Sequence, residues 1–367
     1  QLAEAIKNSG FNVFLLFYYN QVLGVSATLT SVALAIALMF DAVSDPLVGS
    51  FSDKLRTRFG RRHPLILMAA LPLGLSFYCL FNPPSMTSDW AHFIWLLGFA
   101  ILVRASLTLY HVPHLALGAE LAEDYHQRST LYAMSTFFGF LGGALFVPVS
   151  YTLFFPTTDV FNPALLNKAA YQPWSLMAAG LMIFAIVVCV IGTRREIPRL
   201  VQRVDSDARQ LMRVSALIQE FREAFSNRSF RAIFFGMMLS TLVLSVEGVF
   251  NPFMGFHFWG LTTEQLRWIP LAQLVGLFLS LSLLPIMTRW LDKKRTLIVS
   301  ALLVILNINI PIVLSLSGVS WFPAQGSQSL LIVLILSGLV TAVLAPIIFA
   351  TLNSMFADIA DEHELDT

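Results

Sequence analysis

Two aspartates stand one helical turn apart inside an apolar stretch of the chain. Asp41 and Asp45 lie in LMFDAVSDPLVG, and a spacing of four places both carboxylates on one face of a helix. Asp41 lies roughly 20 Å into its apolar segment, near or just past the middle of a bilayer. An ionised carboxylate at that depth is costly unless a cation meets it, and two such groups repel each other. The pair therefore favours a bound Na⁺ or a shared proton; a structural salt bridge to Arg104 is the alternative, and both can apply in different states.

A second apolar stretch, LVRASLTLYHVPHLALGAEL, carries polar residues at helical spacing. Arg104, Thr108 and His111 are four and three residues apart, so they share a face, and His114 follows. Thr108 offers a hydroxyl oxygen suited to Na⁺, and His111 offers a titratable or donor group. Simple packing is the alternative for either histidine. Pro46, directly after the aspartate pair, predicts a kink that frees a backbone carbonyl for coordination.

Three further acidic or basic residues lie within or beside apolar segments. Glu247 and Asn251 are four residues apart in LSVEGVFNPF, and an intramembrane glutamate indicates a functional group. Glu4 and Lys7 lie near one end of the first apolar segment, where pairing with each other and extension toward the membrane surface explain them.

The elements that must position these residues are membrane-spanning helices. Hydrophobic residues make up 56% of the 367 residues and charged residues 12%, about half the charged fraction of a globular chain. The charges are segregated along the chain, which argues against a nucleic-acid partner. Apolar runs of bilayer length predict ten spans. They lie at 9–26, 28–50, 64–82, 91–119, 130–154, 172–193, 231–256, 266–288, 296–318 and 329–355.

The loops between these spans alternate in charge. Most of the 23 basic residues fall in every second loop, so these loops and the amino terminus are predicted to be cytoplasmic. The loop after the second span is the most basic of the short ones, and we expect its charges to form a gate latch between helices. The predicted latch residues are Asp53, Lys54, Arg58, Arg61 and Arg62.

One long polar connection divides the chain. The predicted domains are a six-helix bundle at 1–193, a cytoplasmic linker at 194–230 and a second bundle at 231–367. SALIQEFREAF within the linker predicts an amphipathic helix along the inner membrane face. TRWLDKKR, after the eighth span, echoes GSFSDKLRTRFGRR after the second. Such a parallel repeat is typical of two-bundle transporters, so two further helices are expected beyond the ten.

These stretches resemble a known family. DAVSDPLVGSFSDKLRTRFGRR, YYNQVLG, LTLYHVPHLAL and ADIADEHELDT resemble the glycoside, pentoside and hexuronide cation symporters, the melibiose permease branch of the major facilitator superfamily. The resemblance implies twelve helices, alternating access and cation-coupled solute uptake. It also implies that Asp41 and Asp45 hold the coupling cation and that Thr108 supplies a hydroxyl ligand. The expected substrate cavity comprises Arg104, His111, His114, Tyr18, Glu247 and Asn251.

The departures from the family pattern bear on the substrate. The sugar-binding permeases carry an aspartate where this chain has His111, an arginine where it has Ser135 or Thr136, and an early carboxylate from which Glu4 is displaced. The resemblance therefore implies the family's cation site in this chain but not its galactoside site. YHVPHLAL and SVEGVF are similar to stretches of sodium-dependent lysophosphatidylcholine transporters, which keeps an amphiphilic substrate as the alternative.

The leading expectation is a monomeric symporter of the cytoplasmic membrane, driven by Na⁺ or H⁺ and carrying a glycoside or another polar organic solute. No other cofactor is expected, since the chain has no Walker loop or glycine-rich nucleotide site. An intramembrane zinc enzyme is a weak third alternative. It rests only on HELDT at His363, which resembles the start of a zinc protease motif.

Overall fold

The computed structural model describes residues 1–57, 59–121, 125–198, 225 and 228–366. Within these ranges the structure describes the backbone but not the side chains at positions 119, 125, 126, 128, 129, 133, 228, 229, 244, 353 and 356–366. Within the described part every regular element is helical, as the apolar composition predicts. A bilayer leaves no water to satisfy backbone groups, so a spanning segment must form its hydrogen bonds internally. The α-helices are α1 Leu2–Ser9, α2 Ala27–Lys54, α3 His63–Leu80, α4 Asp89–Leu121, α5 Tyr125–Leu153, α6 Tyr171–Thr193, α7 Arg228–Phe253, α8 Thr263–Leu266, α9 Trp268–Leu316 and α10 Gln328–Asp366.

Eight helices of the described residues are long and apolar enough to cross a membrane, which supports an integral, multi-pass membrane protein. Two features explain why this number is lower than the ten predicted spans. The first segment continues α1 through π-helical turns at Gly10–Leu15 and Tyr18–Val22, so it is not one regular helix. The predicted eighth and ninth spans are joined in α9, which breaks at Asp292 with φ 64° and ψ 162°. Both α2 and α4 continue as α-helix through their internal prolines.

The chain divides into two compact units, an N-terminal unit at Gln1–Ala208 and a C-terminal unit at Arg209–Thr367. The predicted linker at 194–230 lies largely outside the described residues, as does its amphipathic helix apart from Phe225. The predicted domain boundaries therefore stay predictions.

Aromatic packing holds α1 in the N-terminal unit. Trp174 of α6 is fully buried, its ring centroid is 4.5 Å from that of Phe14, and its indole N–H donates to Ser150 Oγ at 2.9 Å. The backbone directly after α1 also approaches α3 closely, since a Cβ on Gly10 would lie 2.6 Å from the Phe77 ring. These contacts determine which face of α1 turns toward α4.

The C-terminal unit is built mainly from α9 packed on α10. A Cβ on Gly276 of α9 would lie 2.8 Å from the Leu339 carbonyl oxygen, so the two backbones approach closely. Further along, Asn307 donates to Ser337 O at 2.8 Å and to Thr341 Oγ1 at 3.1 Å. Small residues and interhelical hydrogen bonds are the usual means of helix association in membranes.

Candidate functional site

The predicted aspartate pair of α2 faces the predicted polar stripe of α4. Asp41 forms an ion pair with Arg104, whose Nη1 donates to Asp41 Oδ2. One turn further along, Thr108 Oγ1 donates to Asp45 Oδ1 at 2.8 Å. Each carboxylate therefore meets a different α4 side chain, and the matching spacings of four on both helices make the two contacts possible together. The salt bridge offered as an alternative from the sequence is present beside the predicted site.

The burial of the pair differs from the sequence expectation. Thr108 is buried, but the Asp41 side chain keeps 27% of its exposure and Asp45 is exposed. The reason is that α2 packs against α4 with one face and is otherwise open in the N-terminal unit, where Met39 and Leu47 are also exposed. The carboxylates thus lie at the edge of this packed unit.

The donor set of the α2–α4 pair suits a hard monovalent cation. Carboxylate and hydroxyl oxygens are the ligands that such ions prefer. Asp41 Oδ1 is buried and has no hydrogen-bond partner among the described residues. Within the described part of the chain no cluster of three His, Cys, Asp or Glu side chains could hold a metal ion.

Two charged residues of α1 join the site, which the sequence analysis did not predict. Glu4 does not pair with Lys7; its Oε2 lies 3.1 Å from His111 Nδ1 on α4. Lys7 is 5% exposed, donates to Asn8 Oδ1 at 3.2 Å and lies 4.9 Å from the Phe11 ring centroid. A sequence signal was present, because positions 4, 7 and 11 share one helical face.

Two cations of the cluster lie near one aromatic ring. The Arg104 guanidinium carbon lies 5.5 Å from the Phe11 centroid, and Lys7 Nζ is near the same ring. Burial and the Arg104 charge disfavour the Lys7 ammonium, whereas the charges of Asp41, Glu4 and Asp45 favour it. Lys7, Glu4 and the α2–α4 contacts therefore form one electrostatic unit, which we call the polar cluster: Glu4, Lys7, Asp41, Asp45, Arg104, Thr108 and His111.

The other predicted cavity residues do not join the polar cluster. The His114 ring stacks on Tyr110 of its own helix, with centroids 5.2 Å apart. Tyr18 is buried in the aromatic core and its ring centroid lies 4.3 Å from that of Tyr171; its expected place in the cavity lining stays a prediction. Tyr18 lies in the π-helical turn Tyr18–Val22 and packs against Tyr171 of α6.

Glu247 and Asn251 lie on α7 of the C-terminal unit, one turn apart as predicted. Glu247 is half-buried and Asn251 is exposed. Their expected role in a substrate cavity stays a prediction.

The basic loop after α2 closes a network at one end of the N-terminal unit. Arg62 is buried; it bonds Ser52 Oγ, lies 2.5 Å from Asp53 Oδ1, and its Nε is 3.1 Å from Glu120 Oε1. Arg61 Nη2 lies 2.7 Å from the same Glu120 oxygen. The loop therefore ties the end of α2 to the end of α4.

Two predicted latch residues do not contribute described contacts to this network. Lys54 is exposed, and Arg58 lies outside the described residues. Glu120, the centre of the network, was missed from the sequence. An isolated glutamate at the end of an apolar span, opposite an arginine-rich loop, was the available signal.

Comparisons with known proteins agree with this architecture. A family model described as MFS/sugar transport protein matches residues 1–367. The chain is 26% identical over 312 residues to the glucuronide carrier protein homolog of Escherichia coli (strain K12), covering 82% of this chain and 63% of that protein. It is 29% identical over 125 residues to the sodium-dependent lysophosphatidylcholine symporter 1 of Gallus gallus, covering 33% and 23%. The chain thus spans less than two thirds of either relative.

A solved structure gives the fold. The inward open conformation of the xylose transporter XylE from E. coli matches with a TM-score of 0.57 at 15% identity, covering 93% of this chain and 78% of that one. The predicted all-α major facilitator fold is confirmed. These proteins are named as carriers, symporters or transporters, so the zinc-enzyme interpretation of HELDT has no support, and its side chains lie outside the described residues.

Proposed function

Because the chain belongs to the MFS/sugar transport protein family, we propose that it is a secondary active symporter that couples an inward cation gradient to movement of a polar organic solute. Glycosides and related sugars are the proposed solute class. The relative named as a glucuronide carrier, similar over 82% of this chain, supports that class.

One observation carries the coupling proposal. Two carboxylates on α2 meet a hydroxyl and a guanidinium on α4 at matching turns, and a buried oxygen of Asp41 is left over. A Na⁺ ion or a proton at Asp41 and Asp45 would add the charge that two neighbouring carboxylates lack. Thr108 would supply a neutral oxygen ligand.

Arg104 gives the site a competitor for the cation. Its guanidinium pairs with Asp41, so the carboxylate has a positive partner when no coupling cation is bound. Cation arrival would release Arg104 from Asp41 and change the charge presented to the substrate cavity. A carrier loaded with only one of its two ligands keeps an unmatched charge at membrane depth, and that penalty couples the two movements.

A lysophospholipid or similar amphiphile is the second candidate substrate. It is favoured by the similarity to the lysophosphatidylcholine symporter over 33% of this chain. The many exposed apolar side chains of α2, α3 and α7 would face lipid under either function, so they do not separate the two substrates.

The proposed location is the inner or plasma membrane. The charge of the loops supports an orientation in which the basic loops and the amino-terminal side face the cytoplasm. In that orientation the Arg61–Arg62–Glu120 network lies on the cytoplasmic side. It would stabilise one state of the N-terminal unit during alternating access, acting as the proposed gate.

The substrate and the ion can be identified together by thermal unfolding. The purified protein is heated with sugars, glycosides, hexuronides or lysophospholipids, each with Na⁺ and with choline at equal ionic strength. A ligand that binds only the folded protein raises the free energy of unfolding, by about 2.7 kcal/mol at a hundred times its Kd, and with it the midpoint temperature. Stabilisation by a glycoside that requires Na⁺ would support the proposal. Na⁺-dependent stabilisation by lysophospholipid alone would instead support the second candidate substrate.

Asp45→Asn tests the cation role directly. We expect this variant to reach the membrane but to lose cation-driven accumulation in vesicles, because its amide cannot neutralise a cation. Asp159→Asn, in an exposed loop between α5 and α6, is the matched control and should transport normally. Undiminished cation-dependent uptake by Asp45→Asn would sink the assignment.

A further inference from the structure

The break in α9 divides this helix into two arms of bilayer length. The arms run from 268 to 291 and from 293 to 316, and each is roughly 36 Å long at about 1.5 Å per residue. A hydrocarbon core is about 30 Å thick, so the break lies at a membrane surface when both arms cross. Across the break, Thr296 Oγ1 donates to the Met287 carbonyl oxygen at 3.1 Å, and Thr296 is fully buried. This contact fixes the turn, which presents its flanking side chains at the level of the lipid headgroups.

Four cations surround the break, with one carboxylate among them. The exposed cations are Arg289 of the first arm and Lys294 and Arg295 of the second, and Lys293 is half-buried. The carboxylate of Asp292 accepts a hydrogen bond from the backbone N–H of Lys293 at 2.7 Å. Within the described part of the chain, the three exposed cations form no ion pair. The turn therefore displays a concentrated positive charge.

The related loop of the N-terminal unit binds its cations through carboxylates of the chain. There Asp53 and Glu120 contact Arg62, and Glu120 also contacts Arg61. The stretch TRWLDKKR of α9 resembles the basic stretch after α2, but its aspartate, Asp292, bonds the backbone of its own turn. The two loops thus share a sequence pattern and differ in that the α9 turn leaves its cations open to an external anion.

A tryptophan stands directly before the break. The Trp290 side chain is 86% exposed, more than any other exposed large hydrophobic residue that the structure describes. Tryptophan is enriched where a membrane meets water, because its ring is apolar and its N–H can bond water or headgroups. At this position the indole lies at the depth of the upper acyl chains, while the neighbouring cations lie at the depth of the phosphates.

We propose that the turn at Asp292 is a binding site for an anionic phospholipid, with Arg289, Lys294 and Arg295 holding its phosphate and Trp290 packing on its acyl chains. Guanidinium groups bind phosphate oxygens through charge-assisted hydrogen bonds, and an ammonium adds a point charge. The choline of a zwitterionic lipid offsets the charge of its phosphate, so such a lipid binds more weakly. The ligand is a lipid because a soluble phosphate meets the cations but gains nothing from the exposed indole. The site does not depend on the proposed transport function.

Quenching of tryptophan fluorescence tests the lipid contact. The purified full-length protein is placed in phosphatidylcholine vesicles that contain equal shares of either brominated phosphatidylglycerol or brominated phosphatidylcholine, whose bromine atoms quench an indole at close range. We expect stronger quenching by the brominated phosphatidylglycerol in the wild type, and Trp290→Phe should lose this difference. Trp321→Phe is the matched control and should keep it. This indole is 70% exposed at the other end of the second arm, in a loop at 317–327 that has no basic residue.

A double variant, Arg289→Gln with Lys294→Gln, tests the cations. Each cation near an anionic membrane surface contributes roughly a fivefold gain in affinity, so the double variant should need about twentyfold more phosphatidylglycerol for half-maximal quenching. Lys54→Gln with Arg56→Gln removes two exposed cations from the loop after α2 and should leave the titration unchanged. All four positions are exposed, so the fold should tolerate both double variants.

Three results would overturn the site. The first is equal quenching of the wild type by the two brominated lipids. The second is a preference for phosphatidylglycerol that persists in Trp290→Phe or that falls equally in the two double variants. The third is loss of the preference when soluble glycerol phosphate is added in excess over the lipid, since the cations would then bind a phosphate without its acyl chains.

Discussion

Replacing Arg104 by methionine leaves the Asp41 carboxylate without its cation. Methionine keeps an apolar chain of similar length against Phe11, so the change isolates the charge. Removing one partner of a fully buried ion pair costs 3–5 kcal/mol. Here water reaches part of the pair, because the Arg104 and Asp41 side chains are 13% and 27% exposed. We therefore expect a loss of about 2 kcal/mol, or roughly 4 °C in the unfolding midpoint.

Sodium should reverse this loss. At a hundred times its Kd, a ligand specific for the folded protein stabilises it by about 2.7 kcal/mol, which is enough to offset the missing guanidinium. In the wild type, Na⁺ must first displace Arg104 from Asp41, so its net stabilisation is smaller. The Na⁺-dependent rise in midpoint should therefore be larger for Arg104→Met than for the wild type.

The assay is thermal unfolding of both proteins in choline and in increasing Na⁺ at constant ionic strength. Arg56→Met, which removes an exposed guanidinium in the loop after α2, controls for the loss of one positive charge. Equal Na⁺-dependent shifts in the wild type and Arg104→Met would refute the competition between guanidinium and cation. So would a variant that is as stable as the wild type without Na⁺.

Three further outcomes test individual contacts. Thr108→Val, which removes the hydroxyl bonded to Asp45, should weaken Na⁺ binding about tenfold or more, as a hydrogen bond to a charged group is worth roughly 1.5–3 kcal/mol. Thr108→Ser keeps the hydroxyl and should bind Na⁺ normally. Equal Na⁺ titrations of Thr108→Val and the wild type would contradict the ligand role. Glu120→Gln should lower the thermal midpoint by a few degrees, since two guanidinium groups lose their shared carboxylate; an unchanged midpoint would show that the network adds no stability. Gly276→Ala should cost about 1–3 kcal/mol by overpacking against α10, whereas Gly180→Ala, with no heavy atom within 4 Å of the added Cβ, should change the unfolding free energy little.

The sequence alone predicts the membrane class, the all-helical fold and the pairing of α2 with α4. The reason is that bilayer thickness determines the length of an apolar span, and helical periodicity determines which side chains share a face. Asp41, Asp45, Arg104 and Thr108 could be selected because their spacings on two helices match. The sequence also indicates a loop at Asp292, because TRWLDKKR resembles the basic stretch GSFSDKLRTRFGRR that follows the second span.

Only the tertiary structure placed α1 against α4. Periodicity states which residues of a helix share a face, but it does not state which other helix that face meets. Glu4 and His111 are 107 positions apart in the chain, and their contact depends on aromatic packing around Trp174 and Phe77 that orients α1. The same packing buries Lys7 and places Tyr18 in the aromatic core. The spacing of residues within one helix therefore predicts the carboxylate pair. Which α1 residues contribute charge to the polar cluster depends on how three helices pack.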